Sequence, residues 1–156
     1  MSNWPLLSIL IWLPILGGAL VLALGNARAG AARWLALAVS LLTFAASIPL
    51  LCQYDRAADV AMQFVEKRAW VPSFGIWYAL GADGISVALI VLTTFTTVLA
   101  LVGAWAAVQK RVAQYVAAFL FLEGMMVGVF AATDAMLFYV FFEAMLIPMF
   151  LIIGVW

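Results

Sequence analysis

Two glutamates, Glu123 and Glu143, lie within long apolar stretches and are the residues whose type and position could do chemistry. An ionised carboxylate at the centre of a bilayer costs at least about 2.5–3.5 kcal/mol, so such a residue usually has a functional reason to be there. Protonation removes much of that cost. A carboxyl group that gains and loses a proton at this depth can carry protons across the membrane. The two residues therefore predict proton transfer.

The composition requires a membrane around these residues. Of the 156 residues, 69% are hydrophobic and 9% are charged, whereas a soluble domain has about 45–50% apolar and about 25% charged residues. A soluble enzyme is excluded. Without histidine and with Cys52 as its single cysteine, the chain cannot alone supply a zinc site, an iron–sulfur cluster or a disulfide. We expect no metal and no cofactor on this chain, and its zero net charge without a basic tract argues against nucleic acid.

Five apolar runs are long enough to cross the membrane, which takes about 20 residues for about 30 Å of hydrocarbon. The predicted helices cover residues 4–24, 32–52, 84–108, 112–132 and 135–156. We therefore predict an all-α integral membrane protein with about five transmembrane helices. Residues 1–53 contain the first two, residues 54–83 form a periplasmic connection, and residues 84–156 contain the other three with the buried glutamates.

The first run could instead be a signal peptide, because Ala27 and Ala29 before Gly30 imitate a cleavage site. However, no Lys or Arg precedes this run, and it exceeds the roughly 7–15 residues of a signal sequence's apolar region. A retained helix is favoured.

Basic residues predict the orientation, since short cytoplasmic loops are rich in Lys and Arg. Arg28 and Arg33 follow the first run, and Lys110 and Arg111 follow the third. Both loops should be cytoplasmic, which places the N-terminus in the periplasm and the chain in a bacterial inner membrane. In the periplasmic connection, alternating apolar residues around Trp77 predict a short strand or an interfacial segment.

Helix geometry places both glutamates near the membrane midplane. Glu123 precedes Asp134 by eleven residues and Glu143 follows it by nine, which corresponds to depths of roughly 16 and 14 Å. The short turn at Asp134 makes their helices antiparallel neighbours, so the two carboxyl groups could approach each other. Apart from Arg33 at the edge of the second run, no Lys or Arg falls within a predicted helix. Any cationic partner deep in the membrane must therefore come from further sequence or from another subunit. A passive role, with each glutamate hydrogen-bonded to a neighbouring helix, stays open.

Three local features surround these residues. Pro148 cannot donate a hydrogen bond to the carbonyl of Ala144, which predicts a kink close to Glu143. Asp83 and Asp134 precede apolar runs and are predicted to cap helix N-termini. A further pair, Gly124 and Gly128, has the spacing that permits close helix approach in membranes.

Residues 138–149 (FYVFFEAMLIPM) closely resemble the fifth-helix motif of the antiporter-like membrane subunits of respiratory complex I. Residues 70–72 (WVP), Gly75 and residues 80–86 (LGADGIS) resemble the entry into the third helix of these subunits. The resemblance implies the N-terminal third of a subunit with about fourteen helices, so we expect the chain to continue beyond Trp156. It identifies Glu143 as the essential fifth-helix carboxylate, whereas Glu123 is not a fixed part of the pattern.

The resemblance also implies a function, namely a proton-translocating subunit of NADH:quinone oxidoreductase that has no redox chemistry of its own. NADH, flavin, iron–sulfur clusters and quinone would bind to other subunits of the complex. The implied partners are other membrane subunits, including neighbouring antiporter-like ones, and the lipid bilayer. A lysine on a later helix would pair with Glu143. Two alternatives stay open, a subunit of a multisubunit sodium/proton antiporter and a structural membrane protein.

Overall fold

Five long helices and one β-hairpin form the computed structural model, which describes residues 4–57 and 61–156. The helices are α1 (Leu6–Leu24), α2 (Ala29–Gln53), α3 (Gly84–Gly103), α4 (Val112–Ala131) and α5 (Ala135–Val155), and the strands are β1 (Gln63–Val71) and β2 (Ile76–Ala82). Each of these helices is long and apolar enough to cross a membrane. The predicted fold class is confirmed. Residues 58–60 of the expected connection lie outside the described residues.

Two helix boundaries differ from the sequence prediction. Helix α2 begins at Ala29, three residues before the predicted start at residue 32, and therefore contains Arg33 in its second turn. Its guanidinium stays near the helix end, where it donates to the Val108 carbonyl at 2.6 Å and lies 5.9 Å from the ring centre of Trp105. Helix α3 ends at Gly103 rather than at residue 108, because the chain turns there and carries Trp105 and Val108 back to Arg33.

The connection between α2 and α3 contains an antiparallel hairpin, so the strand predicted around Trp77 is confirmed. A turn with Gly75 in the left-handed conformation (φ 67°) joins the strands. One strand binds the turn between α4 and α5, because the Thr133 amide donates to the Ala79 carbonyl at 2.9 Å. The Trp77 amide donates to the Asp134 carboxylate at 3.3 Å. The hairpin therefore fixes the point from which the helices bearing Glu123 and Glu143 diverge.

Helix α4 is the centre of the bundle and packs against α1, α2, α3 and α5. Small residues let α1 and α4 come close, as is typical of membrane helix pairs. A side chain at Gly124 would meet the carbonyl oxygen of Ile11 at 2.6 Å, and one at Gly18 would meet that of Ala117 at 3.2 Å. The backbones are thus in near contact at two points along the helices, one of them next to Glu123.

Candidate functional site

Glu123 is buried in the middle of α4, with 1% of its surface exposed. Neither carboxyl oxygen has a hydrogen-bond partner in the described part of the chain. A buried polar group without a partner is unusual in a protein interior and calls for a physical explanation. Glu123 thus lies in the most buried of the five helices, and its predicted role in proton transfer stays a prediction.

Glu143 lies in α5 on a surface that the other described helices leave open. It is thus exposed on the described bundle, and its burial within the membrane stays a prediction. Helix α5 contacts the bundle through Phe141, whose ring packs on Gly128 of α4. Residues two positions apart on a helix point about 200° apart. Glu143 therefore faces away from α4.

The open surface around Glu143 is apolar. Side chains three or four residues away share its side of the helix, and Tyr139, Val140 and Ile147 are 56%, 40% and 65% exposed. Phe150, two turns further along, is 76% exposed. An ionised carboxylate in the middle of such a surface would be unfavourable against lipid, which offers it no polar partner.

The two carboxyl groups are not brought together. Their helices are antiparallel neighbours as predicted, but Gly128, which receives α5, lies about 140° around α4 from Glu123. Glu123 shares its side of α4 with Leu120 and Val127, which pack against other helices. A shared proton between Glu123 and Glu143 is therefore not a property of this arrangement.

Pro148 lies within α5, which continues through it to Val155. It is buried, and together with Ala144 it lines a groove of about 540 Å³ between α4 and α5. Because Pro148 has no amide proton, the Ala144 carbonyl lacks its helical donor. Arg111 and Gln114 line the same groove. The proline thus leaves a free polar group one residue from Glu143.

The two predicted helix caps are confirmed. Asp83 accepts from the Ser86 amide at 2.7 Å, and this bond lowers the pKa of Asp83. Asp134 accepts from the amides of Leu137 and Met136 at 3.2 and 2.9 Å. The bond from Leu137 is the main cause that lowers the pKa of Asp134. Both carboxylates satisfy the first free amides of their helices and so stabilise the helix ends.

A further carboxylate, Glu66 of β1, has a structural role that the sequence analysis did not predict. It accepts from the amide of Leu7 at 2.9 Å and from the amide of Ser8 at 3.3 Å, so it caps the N-terminus of α1 from another element. The Ser8 hydroxyl also bonds to Glu66 and lies 3.1 Å from the hydroxyl of Tyr78. The sequence feature that could have indicated this cap is Pro5, directly before α1. Its side chain cannot accept a hydrogen bond, so the first amides of α1 need an acceptor from elsewhere.

Comparison with known proteins supports the resemblance seen in the sequence. No family model matches the chain. It is 48% identical over 155 residues to NADH-quinone oxidoreductase subunit M of Rhodobacter capsulatus, covering 97% of this chain and 30% of that protein. It is 43% identical over 150 residues to NADH-ubiquinone oxidoreductase chain 4 of Arabidopsis thaliana, covering 96% of this chain and 30% of the relative.

The fold has a solved counterpart in respiratory complex I from Thermus thermophilus with bound NADH. The TM-score is 0.74 at 30% identity, and the match covers 91% of this chain and 27% of that one. The chain thus spans about 30% of the length of the relatives that it matches. The expected resemblance to an antiporter-like membrane subunit of complex I is confirmed, and it is with the subunit called M or chain 4.

Proposed function

We propose that this chain, which resembles part of subunit M of NADH-quinone oxidoreductase over its whole length, belongs to a proton-translocating membrane subunit of that complex. Electrons pass from NADH to quinone on other subunits, which hold the flavin and the iron–sulfur clusters. The absence of histidine and the single cysteine of this sequence agree with a role without redox groups. Its contribution is the transfer of protons through carboxyl groups within the membrane.

The position of Glu143 is the observation that supports this proposal most directly. The carboxyl group lies near the middle of α5, on an apolar surface that the other four helices leave uncovered. Further helices of the same subunit or of a neighbouring antiporter-like subunit cover this surface. One of them supplies a cation, most simply a lysine, since an ion pair is the usual way to hold a carboxylate at this depth.

The proton transfer follows from this pairing. Glu143 is ionised while the cation is near, and it takes up a proton when the cation withdraws, because an unpaired charge in apolar surroundings is unfavourable. Return of the cation releases the proton. If quinone reduction moves the cation, and uptake and release open to opposite sides of the membrane, the cycle translocates a proton. Glu123 serves as a second carrier, deeper in the bundle.

The test is NADH-driven proton uptake into inverted membrane vesicles that contain the whole complex. Glu143→Gln removes the charge at nearly constant shape and should reduce both proton uptake and quinone reductase activity at least tenfold, with the complex still assembled. Tyr139→Phe is the matched control, because it removes a polar group one turn away on the same surface, and it should leave both activities near their original values.

Other outcomes decide between the alternatives. If both activities persist in the Glu143→Gln variant, the glutamate has a structural role and the proposal is wrong. If the membranes exchange protons for sodium without NADH, and this exchange depends on Glu143, the chain belongs instead to a sodium/proton antiporter.

The proposed orientation places the N-terminus in the periplasm of a bacterial inner membrane. It is supported by the lack of acidic residues beside Lys110 and Arg111 between α3 and α4. A Lys110→Cys variant in a Cys52→Ser background should react with a membrane-impermeant maleimide in inverted vesicles but not in intact spheroplasts. The opposite labelling pattern would reverse the topology.

A further inference from the structure

A layer of buried polar side chains divides the apolar core of the bundle. One apolar cluster contains Val39 of α2, Leu101 of α3 and Leu120 of α4. The other contains Leu50 of α2, Ile90 of α3 and Val127 of α4. Between them along the helices lie seven polar residues, all less than 9% exposed, which we call the polar layer: Ser40, Thr43, Ser47, Thr93, Thr94, Thr97 and Glu123.

Glu123 belongs to this layer because of its position on α4. It lies three residues after Leu120 and four before Val127, on the same side of the helix as both. Both neighbours belong to apolar clusters that join α4 to α2 and α3 as well as to α1. Because α4 packs on α2 and α3, we infer that the Glu123 side chain lies toward the seam between those two helices. The seam is polar at this level, where the hydroxyls of Ser47 and Thr94 lie 3.0 Å apart.

The hydroxyl groups of the layer donate their protons to backbone carbonyls of their own helices. Thr43 donates to the Val39 carbonyl at 2.9 Å, and Thr97 donates to the Thr93 carbonyl at 3.0 Å. A hydroxyl has one proton and two lone pairs, so these oxygens can only accept further bonds. An ionised carboxylate is also only an acceptor. With Glu123 ionised, acceptors therefore face acceptors, and a donor such as water is needed between them. With Glu123 protonated, its own O–H can donate one bond to that water.

We propose that the polar layer is an internal water-binding site, in which water donates to Glu123 and to the hydroxyl oxygens of α2 and α3 and exchanges protons with Glu123. A buried water typically makes about three hydrogen bonds to groups that have no other partner. Glu123, with two orphaned oxygens at 1% exposure, is such a group. The hydroxyl oxygens offer further acceptor positions for water along the seam.

A single metal cation fits this layer less well than water does. The hydroxyls of α2 extend from Ser40 to Ser47, about 10 Å along the helix, whereas a cation such as calcium holds its oxygen ligands at about 2.3–2.6 Å. A file of water molecules matches the extended arrangement. Arg33, the cation on the helices that form the seam, is bound at the far end to the Val108 carbonyl.

This inference depends on packing and hydrogen bonding around Glu123 and not on the coupling proposed for Glu143. The two can therefore fail separately. Loss of proton uptake in Glu143→Gln says nothing about hydration near Glu123, and the experiment below reads the Glu123 carboxyl group itself.

The experiment is infrared spectroscopy of the whole complex in membranes, recorded as the difference between the native protein and Glu123→Gln. The expected spectrum contains the carbonyl band of a protonated, hydrogen-bonded carboxyl group, which shifts to lower frequency within the mixing time after transfer to deuterium oxide. Thr97→Val preserves shape but removes one hydroxyl. It should move the Glu123 band to higher frequency and slow its deuterium exchange at least tenfold.

The matched control is Thr96→Val, because Thr96 is exposed on the same helix and its hydroxyl likewise bonds to its own backbone, at Leu92. This variant should leave the Glu123 band and its exchange unchanged. If Thr97→Val does not assemble, Ser47→Ala makes the same test. The proposal is overturned, and the site is dry, if the band does not exchange over hours or if its frequency and exchange are the same in both hydroxyl variants as in the native protein. A protonated band that appears only when sodium is withdrawn would instead show a cation site.

Discussion

Replacing Gly124 by alanine tests the close packing of α1 on α4 beside Glu123. The added methyl would lie 2.6 Å from the carbonyl oxygen of Ile11 and 2.6 Å from Cγ1 of Ile15. The Ile15 side chain can rotate away, but the Ile11 carbonyl belongs to the helix backbone, so α1 must move. Overpacking of this kind typically costs about 1–3 kcal/mol, partly offset by up to about 1 kcal/mol from the better helix propensity of alanine.

The assay is the thermal unfolding midpoint of the detergent-solubilised complex, with Gly30→Ala as the control. Gly30 also lies in a helix, but a methyl group there meets nothing within 4 Å. Gly30→Ala should unfold at or slightly above the midpoint of the native protein. Gly124→Ala should unfold several degrees lower, because it alone carries the overpacking cost. Equal midpoints for the two variants would refute the near contact of the α1 and α4 backbones.

Compensating substitutions sharpen this test. A methyl group at Gly128 would meet the ring of Phe141 at 2.6 Å, which is a contact with a side chain. The loss of stability in the double variant Gly128→Ala/Phe141→Leu should therefore be smaller than the sum of the losses in the two single variants. Gly124→Ala/Ile15→Ala should show little such rescue, since the clash with the Ile11 carbonyl remains. Equal rescue in both pairs would contradict the distinction between backbone and side-chain contact.

Two further predictions concern the hairpin and the caps. Glu66→Ala should loosen the start of α1 and speed amide hydrogen exchange at Leu7 and Ser8. Glu66→Gln, which can still accept hydrogen bonds, should have a smaller effect. Unchanged exchange in both variants would contradict the capping role. The bond from Leu137 lowers the pKa of Asp134. The stabilising contribution of the Asp134 carboxylate should therefore be present above the ordinary aspartate pKa of 3.8 and be lost as the pH falls through the lowered pKa of the folded state. Asp134→Ala should abolish that acid dependence in an unfolding titration, and a titration curve identical to that of the native protein would contradict it.

Much of the architecture can be predicted from short segments of the sequence. The five helices follow from runs of apolar residues of membrane-spanning length, because hydrocarbon thickness sets that length. The caps at Asp83 and Asp134 follow from short side chains that reach amides two or three residues ahead in the same chain segment. The presence of Glu123 and Glu143 within spans is likewise visible without coordinates.

The direction in which each glutamate faces is decided only by the tertiary structure. Lipid and helix interior are both apolar, so a uniformly apolar helix gives no sign of its rotation about its axis. In the structure Glu143 is exposed on the described bundle, whereas Glu123 is buried inside it. The glycine pair shows the same limit, because Gly124 serves the contact with α1 and Gly128 the contact with α5. Spacing on one helix reveals small residues but not the partners that use them.

The sequence by itself determined the membrane class and the number of helices, since length and hydropathy act within one segment. Proton transfer by Glu123 and Glu143 stays a prediction. Only the tertiary structure placed Glu66 on the first turn of α1, 59 residues from Leu7 along the chain. It alone placed the buried hydroxyls of α2 and α3 and Glu123 of α4 in one layer between two apolar clusters. Both arrangements join segments that are distant in the chain, and their geometry depends on how whole helices pack rather than on the residues beside them.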